Sequence, residues 1–130
     1  AWGELLEILR KDLSPSMRFM IHSYHGSAET LREVLKLGAY ISFSWKWLRS
    51  NTPEMIDLVR RVPENRLLLE TDFPYLEPHR IARELSAEKY FTSLREAYKL
   101  AASAKKMDQR FLEEIVWNNG ATFLSGTSAR

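Results

Sequence analysis

Leu67-Leu68-Leu69-Glu70-Thr71-Asp72-Phe73-Pro74-Tyr75-Leu76 is the stretch on which the fold turns. Three consecutive leucines are what a strand buried on both faces requires, and such strands belong to parallel sheets. The run ends in two carboxylates, Glu70 and Asp72, and then in Pro74, which stops regular continuation. Alternation along a strand places Glu70 and Asp72 on the face of Leu68. An ionised carboxylate on a buried strand is costly unless a cation or hydrogen-bond donors compensate it. Two on one face therefore point to a metal ion or a basic partner. Asp also accepts backbone N–H groups in turns, and residue types alone leave both readings of Asp72 open.

Upstream, Arg18-Phe19-Met20-Ile21-His22 reads as a short strand that ends in a histidine, and Ala39 to Ser44 as a second strand. Between them Leu31, Val34 and Leu35 recur at helical spacing. Ser27 or Thr30 can cap that helix at its start, with Thr30 and Glu33 at capping-box spacing. Gly38 stands where a left-handed residue ends it. Thr52-Pro53-Glu54 is a strong helix start, Ile56, Val59 and Val62 form its apolar side, and Pro63 closes it. A first helix carries Trp2, Leu5, Leu6 and Leu9. After the leucine strand come two helices and no further strand. The longer runs from about Ser86 to Lys106 with Tyr90, Phe91, Leu94, Tyr98 and Ala101 inward. The last, capped by Asp108, carries Phe111, Leu112, Ile115 and Val116, and Gly126 to Arg130 reads as a frayed tail. Strands alternating with helices imply a parallel sheet with right-handed crossovers. Ligands of such sheets bind outside the carboxyl ends of the strands, where His22, Ser44 and Asp72 all stand.

Bulk properties bound the answer. A chain of 130 residues suits one domain with a real core, and 45% hydrophobic with 28% charged residues is ordinary for a globular protein. The chain has no cysteine, which excludes disulfides and thiolate metal sites and suggests a reducing, cytoplasmic setting. No apolar run reaches membrane-spanning length. A net charge of +2 leans only mildly towards anionic partners.

An imidazole and carboxylates on one rim suit a divalent metal. Zinc accepts His nitrogen and Asp oxygen, whereas magnesium and manganese favour carboxylates and water. The chain contains no His-x-His pair, and two or three ligands do not hold a catalytic metal by themselves.

Three segments together carry a family resemblance: His22-Ser23-Tyr24-His25-Gly26-Ser27-Ala28-Glu29, Leu37-Gly38-Ala39-Tyr40-Ile41-Ser42-Phe43-Ser44, and Arg66 through Leu76. In order and spacing they resemble the TatD-like metal-dependent hydrolases, (β/α)8 barrels of the amidohydrolase type known as deoxyribonucleases. Asn118 and Phe123 resemble that family's closing helix. The resemblance implies an α/β fold amounting to the carboxyl-terminal portion of a (β/α)8 TIM barrel, three parallel strands with their helices, as one domain over residues 1–130. A full barrel takes about 250 residues. It implies, too, that a His-x-His pair, a Glu and another His come from strands before Ala1, and that the chain alone is inactive. His22 and Asp72 match metal ligands, Asp72 also serving catalysis, while Glu70 supports them from below. Divalent ions (Mg, Mn or Zn, two in a complete site) and single-stranded DNA are the implied cofactors and substrate.

Other positions depart from the family. His25 stands where a small residue is usual, and Trp45 and Lys46 where a Gly follows the strand. Beyond Tyr75-Leu76 the family's Asn-Glu-Pro loop is missing, and only Glu77-Pro78-His79-Arg80 remains. Arg80 can reach a substrate phosphate, and His25 is a rim residue with a hydrogen-bonding role. Trp45, Lys46, Trp47 and Arg49 interleave aromatic and basic groups as single-strand-binding platforms do, or else pack under the barrel mouth with their charges solvated. A non-catalytic nucleic-acid-binding module and a structural remnant are the competing readings. An unpaired edge at the first strand implies association with the missing half or with a second copy.

Overall fold

The computed structural model of the protein describes residues 2–72 and 87–126. Arg80 and the Pro74–Leu76 end of the leucine segment lie outside them, as do residues 127–130 of the expected tail.

Helix α1 (Trp2–Asp12) leads into strand β1 (Met20–Ile21), helix α2 (Ala28–Lys36) and strand β2 (Tyr40–Ser44). A short helix α3 (Trp45–Leu48) and then α4 (Pro53–Arg61) follow. A 3₁₀ turn over Glu64–Arg66 opens strand β3 (Leu67–Glu70), and α5 (Ala87–Lys105) and α6 (Gln109–Ser125) complete the described elements. The strands form a parallel sheet in the order β1-β2-β3, with Ile21 opposite Ile41, Ile41 opposite Leu67, and Ser44 opposite Glu70. The expected α/β alternation and parallel pairing are both present.

Register sorts the sheet into two chemically different faces. Ile21, Ile41, Phe43, Leu67 and Leu69 share one face and pack into the core with Leu31, Val34, Met55, Val59, Ala97, Ala101 and Leu112 from the surrounding helices. The other face carries Ser42, Ser44, Leu68 and Glu70. A barrel requires this division, with a helix-covered outer face and an inner face that leads up to the site. β2 is buried at all five positions, including both serines, as a strand with a neighbour on each side should be.

Local signals placed most boundaries. Ser27, not Thr30, caps α2, its hydroxyl accepting from the Thr30 amide at 3.1 Å. Gly38 takes φ 87 after that helix. The Thr52 hydroxyl accepts from Met55 N at 3.2 Å with Pro53 next in line. Asp108 caps α6 through Arg110 N and Phe111 N at 2.9 and 3.2 Å.

The inward face of α5 matches expectation at Ala101 and Tyr98 but differs at Tyr90 and Phe91. Tyr90 and Phe91 are exposed, packed edge-to-face on each other at 5.3 Å, and Phe111 of α6 is exposed as well. The buried line of α5 is Ser93, Ala97, Ala101, Ala102 and Ala104. Small residues let α5 approach α4 and β3 closely, so weight given to large apolar residues wrongly adds Tyr90 and Phe91 to the inward face. The rim segment after β2, Trp45 to Leu48, coils into the short helix α3.

Candidate metal centre

β1 and β3 lie on opposite sides of β2, yet their carboxyl ends converge. His22 follows β1 directly. Its Nδ1 lies 2.6 Å from Glu70 Oε2 and its Nε2 lies 2.9 Å from Asp72 Oδ1. One donor atom from each of these three residues falls within 4.8 Å of the others. Glu70 stands on the inner face by register. Asp72 does not arrive by strand alternation, because β3 ends at Glu70 and Asp72 adopts a left-handed backbone, φ 53. Asp72 thus reaches His22 through a left-handed backbone beyond the end of the strand.

A carboxylate at each ring nitrogen constrains the imidazole. Both contacts are satisfied if His22 is the imidazolium donating twice. They are also satisfied if neutral His22 donates from Nδ1 to Glu70 and shares a cation with Asp72 through the Nε2 lone pair. The second arrangement is the usual one for metal-bound histidine, where a carboxylate on the far nitrogen fixes tautomer and ring orientation. Burial holds the Glu70 carboxyl above the usual carboxylate range; the His22 imidazole opposes this, and the Asp72 charge adds to it. Among the described residues Glu70 Oε1 is buried without a hydrogen-bond partner, an unsatisfied position that calls for an ion or a donor. With two hard oxygens and one imidazole nitrogen, the donor set fits zinc, manganese or magnesium.

The rest of the rim is set by the chain after His22. Tyr24 is fully buried and its amide donates to Ser42 O at 2.9 Å, tying the segment to β2. Its hydroxyl donates to Ser27 O at 2.5 Å, and burial pushes the phenol pKa from 10.0 up to about 12. A Cβ at Gly26 would sit 2.6 Å from that hydroxyl, so the glycine is required by close approach. Exposed His25 donates from Nδ1 to Ser23 O at 2.8 Å and faces the Trp47 ring at 6.4 Å and 33°.

Trp45 and Trp47 part company. Trp45 Nε1 donates to Glu96 of α5 at 2.6 Å, and the Arg49 guanidinium lies 4.6 Å over its ring. Lys46 is exposed on α3. The structure thus brings His22, Glu70 and Asp72 together and sets His25 beside Trp47. Two residues escaped the sequence reading. Ser23 touches Asp72 and Ser42. Asn119, not Asn118, is the buried member of the closing helix, its Nδ2 donating to Glu64 O and Leu67 O at 2.6 and 2.8 Å. Helical phase could have found Asn119, since it lies three positions from buried Val116; Ser23 had no such signal.

Parallel strands wrapped by helices, with an imidazole and two carboxylates at their carboxyl ends, define a segment of a (β/α)8 barrel carrying a donor set suited to a divalent cation. The chain belongs to the family described as TatD related DNase, which it matches over residues 1–125. The uncharacterized metal-dependent hydrolase YabD of Bacillus subtilis is 34% identical over 79 residues, covering 61% of this chain and 31% of that protein. The deoxyribonuclease Tat-D of Saccharomyces cerevisiae is 30% identical over 113 residues, covering 82% of this chain and 26% of that protein. A TatD-family hydrolase from Entamoeba histolytica shares the fold with a TM-score of 0.74 at 18% identity, over 94% of this chain and 47% of that one. The chain thus spans about a third or less of these curated relatives and about half of the solved neighbour. No described helix is long and apolar enough to cross a membrane.

Proposed function

We propose that this chain supplies the His22–Asp72 corner of a divalent-metal hydrolase that cleaves phosphodiester bonds in DNA, and that residues 1–130 act as one domain within a complete barrel. The observation that carries the reading is the His22 ring held between Glu70 and Asp72, at 2.6 and 2.9 Å, on the carboxyl rim of the sheet. Membership of the TatD family and the deoxyribonuclease name of the yeast relative support DNA as substrate.

In this reading His22 Nε2 and an Asp72 oxygen are the metal donors, and Glu70 orients the imidazole by accepting its Nδ1 proton. A bound divalent cation polarises a phosphate oxygen and lowers the pKa of a water. Asp72, at the mouth of the strands, would be the group placed to orient an attacking water and to take up its proton. Exposed Lys46, with Arg80 beyond the described residues, neutralises backbone phosphates of a single strand. His25 and Trp47 offer ring surface to a base, and Trp45 contributes by holding Arg49. The remaining donors, including those for a second ion of the Mg, Mn or Zn type, come from strands outside this chain. Until these are supplied, the chain associates through the open edge at β1 with that half or with a second copy.

The test supplies the preceding barrel strands in cis or in trans and assays single-stranded DNA with Mg2+ or Mn2+. Cleavage that chelator abolishes, and that the 130-residue chain alone lacks, is the expected result. A reconstituted barrel that binds Mn2+ yet leaves the DNA uncut refutes the nuclease reading.

A further inference from the structure

We infer that Ser23 is a positioning residue for Asp72: its hydroxyl holds Oδ2, so that Oδ1 is the oxygen presented to His22 Nε2. The inference rests on the reading of Asp72 as a metal donor proposed above.

All three hydrogen-bonding groups of Ser23 are engaged. Its amide donates to the hydroxyl of buried Ser42 at 3.0 Å, its carbonyl accepts from His25 Nδ1 at 2.8 Å, and its own hydroxyl donates to Asp72 Oδ2 at 3.4 Å. The first two contacts pin the peptide on either side of Ser23, and the third is the side chain's sole task among them. The backbone they pin is unfavourable. Ser23 has φ 48 and Asp72, 49 positions later, has φ 53. A left-handed backbone costs a non-glycine residue about 1 kcal/mol or more, and it persists only where the surroundings over-determine it. Here two such residues meet at the imidazole.

Distance sets the character of the contact. An O–H···O bond is ordinarily 2.5 to about 3.0 Å, so 3.4 Å is a guide to orientation and only a small source of stability. A carboxylate held on one oxygen presents the other as a single, directed donor, the role that outer partners play for ligating groups. His25 thereby acquires a part in the site without touching it, through the Ser23 carbonyl.

The test compares Ser23→Gly with Ser23→Ala in the full chain. Both remove the hydroxyl, but only glycine relieves the left-handed backbone, so Ser23→Gly is the more stable of the two. Two readouts are taken: Mn2+ affinity by titration, and the carboxyl carbon chemical shift of Asp72 in metal-free protein by NMR. Positioning predicts that both variants bind Mn2+ about tenfold more weakly and shift the Asp72 signal, while their melting temperatures diverge. A purely structural role predicts that affinity follows stability, with Ser23→Gly as tight as the parent. That result, or an unmoved Asp72 signal in Ser23→Gly, overturns the inference.

Asp72→Asn separates this failure from failure of the underlying reading. If Asp72→Asn binds Mn2+ as the parent does, Asp72 is no donor and the proposed site falls. If Asp72→Asn loses Mn2+ while both Ser23 variants keep it, only the role of Ser23 falls. Where Mn2+ binds the chain too weakly to titrate, the Asp72 carboxyl shift alone decides.

Discussion

At the amino end of β3 the chain is clamped by side chains that satisfy backbone carbonyls. Asn119 reaches Glu64 O and Leu67 O, Lys105 Nζ reaches Val62 O at 2.6 Å, and Arg60 Nε reaches Ala104 O at 2.6 Å. At the carboxyl ends of the same sheet, Ser23 and Asp72 sit in left-handed conformations, Glu70 Oε1 lacks a hydrogen-bond partner among the described residues, and the His22 side chain is 60% exposed. One end spends its polar groups on closing the fold and the other holds them in reserve. Barrels divide stability and chemistry between these two ends, so substitutions at each should fail in different assays.

Asp72→Asn is the sharpest way to break the comparison. It keeps the shape and removes the charge, so in the completed barrel DNA cleavage should fall by at least about a thousandfold, some 4 kcal/mol. The melting temperature of the chain should fall little, because among the described residues the carboxylate contacts His22 and, at longer range, Ser23. Large unfolding without loss of activity would reverse the assignment of the two ends. At the opposite end, Asn119→Ala leaves the carbonyls of Glu64 and Leu67 without their side-chain donor. Burial of Asn119 makes the expected cost about 2–3 kcal/mol, read as a lower denaturation midpoint with Mn2+ affinity unchanged.

How much of this was legible depends on which force placed each residue. Leu67 to Leu69 declared a buried parallel strand because burial on both faces admits only apolar residues. Thr52-Pro53 and Asp108 declared helix starts because the capping geometry is local. Asp72 could be named but not placed, since strand alternation stops at Glu70 and the chain reaches His22 through a left-handed backbone. Tyr90 and Phe91 were misassigned because the alanines of α5 permit close packing on the other side, and a stripe of small residues has a weak hydrophobic signature. Ser23 was invisible, because its role exists only when residues 49 positions apart are brought into contact.

Tyr24 sharpens the boundary between the two regions, as it belongs to the core yet shapes the rim. Its raised pKa means that the folded protein keeps the phenol proton where the unfolded chain loses it. The stabilisation is complete below pH 10 and is lost as pH rises towards about 12. Alkaline unfolding should therefore show a component in that window that Tyr24→Phe removes. At neutral pH the same variant should lose about 1 kcal/mol, the net worth of one hydrogen bond, because Ser27 O retains the Leu31 amide at 2.9 Å.

The smallest effect isolates backbone strain from function. α2 and α5 end in the same way: Gly38 N donates to Leu35 O and Ala39 N to Val34 O, while Lys106 N donates to Ser103 O and Met107 N to Ala102 O. This is the helix-ending motif whose residue after the cap must be left-handed, and the two positions have φ 87 and φ 55. The first is glycine and the second is lysine. Lys106→Gly should relieve strain of about 1 kcal/mol, offset in part by the greater freedom glycine gives the unfolded chain. The expected net gain is about 0.5 kcal/mol, seen as a slightly higher melting temperature with no change in Mn2+ affinity. Ser23→Gly carries the same backbone benefit on the rim and should cost the site its directed carboxylate. If both glycine variants raise stability and neither alters Mn2+ binding, the left-handed residues of the rim are ordinary turn formers, and the contrast between the two ends reduces to exposure.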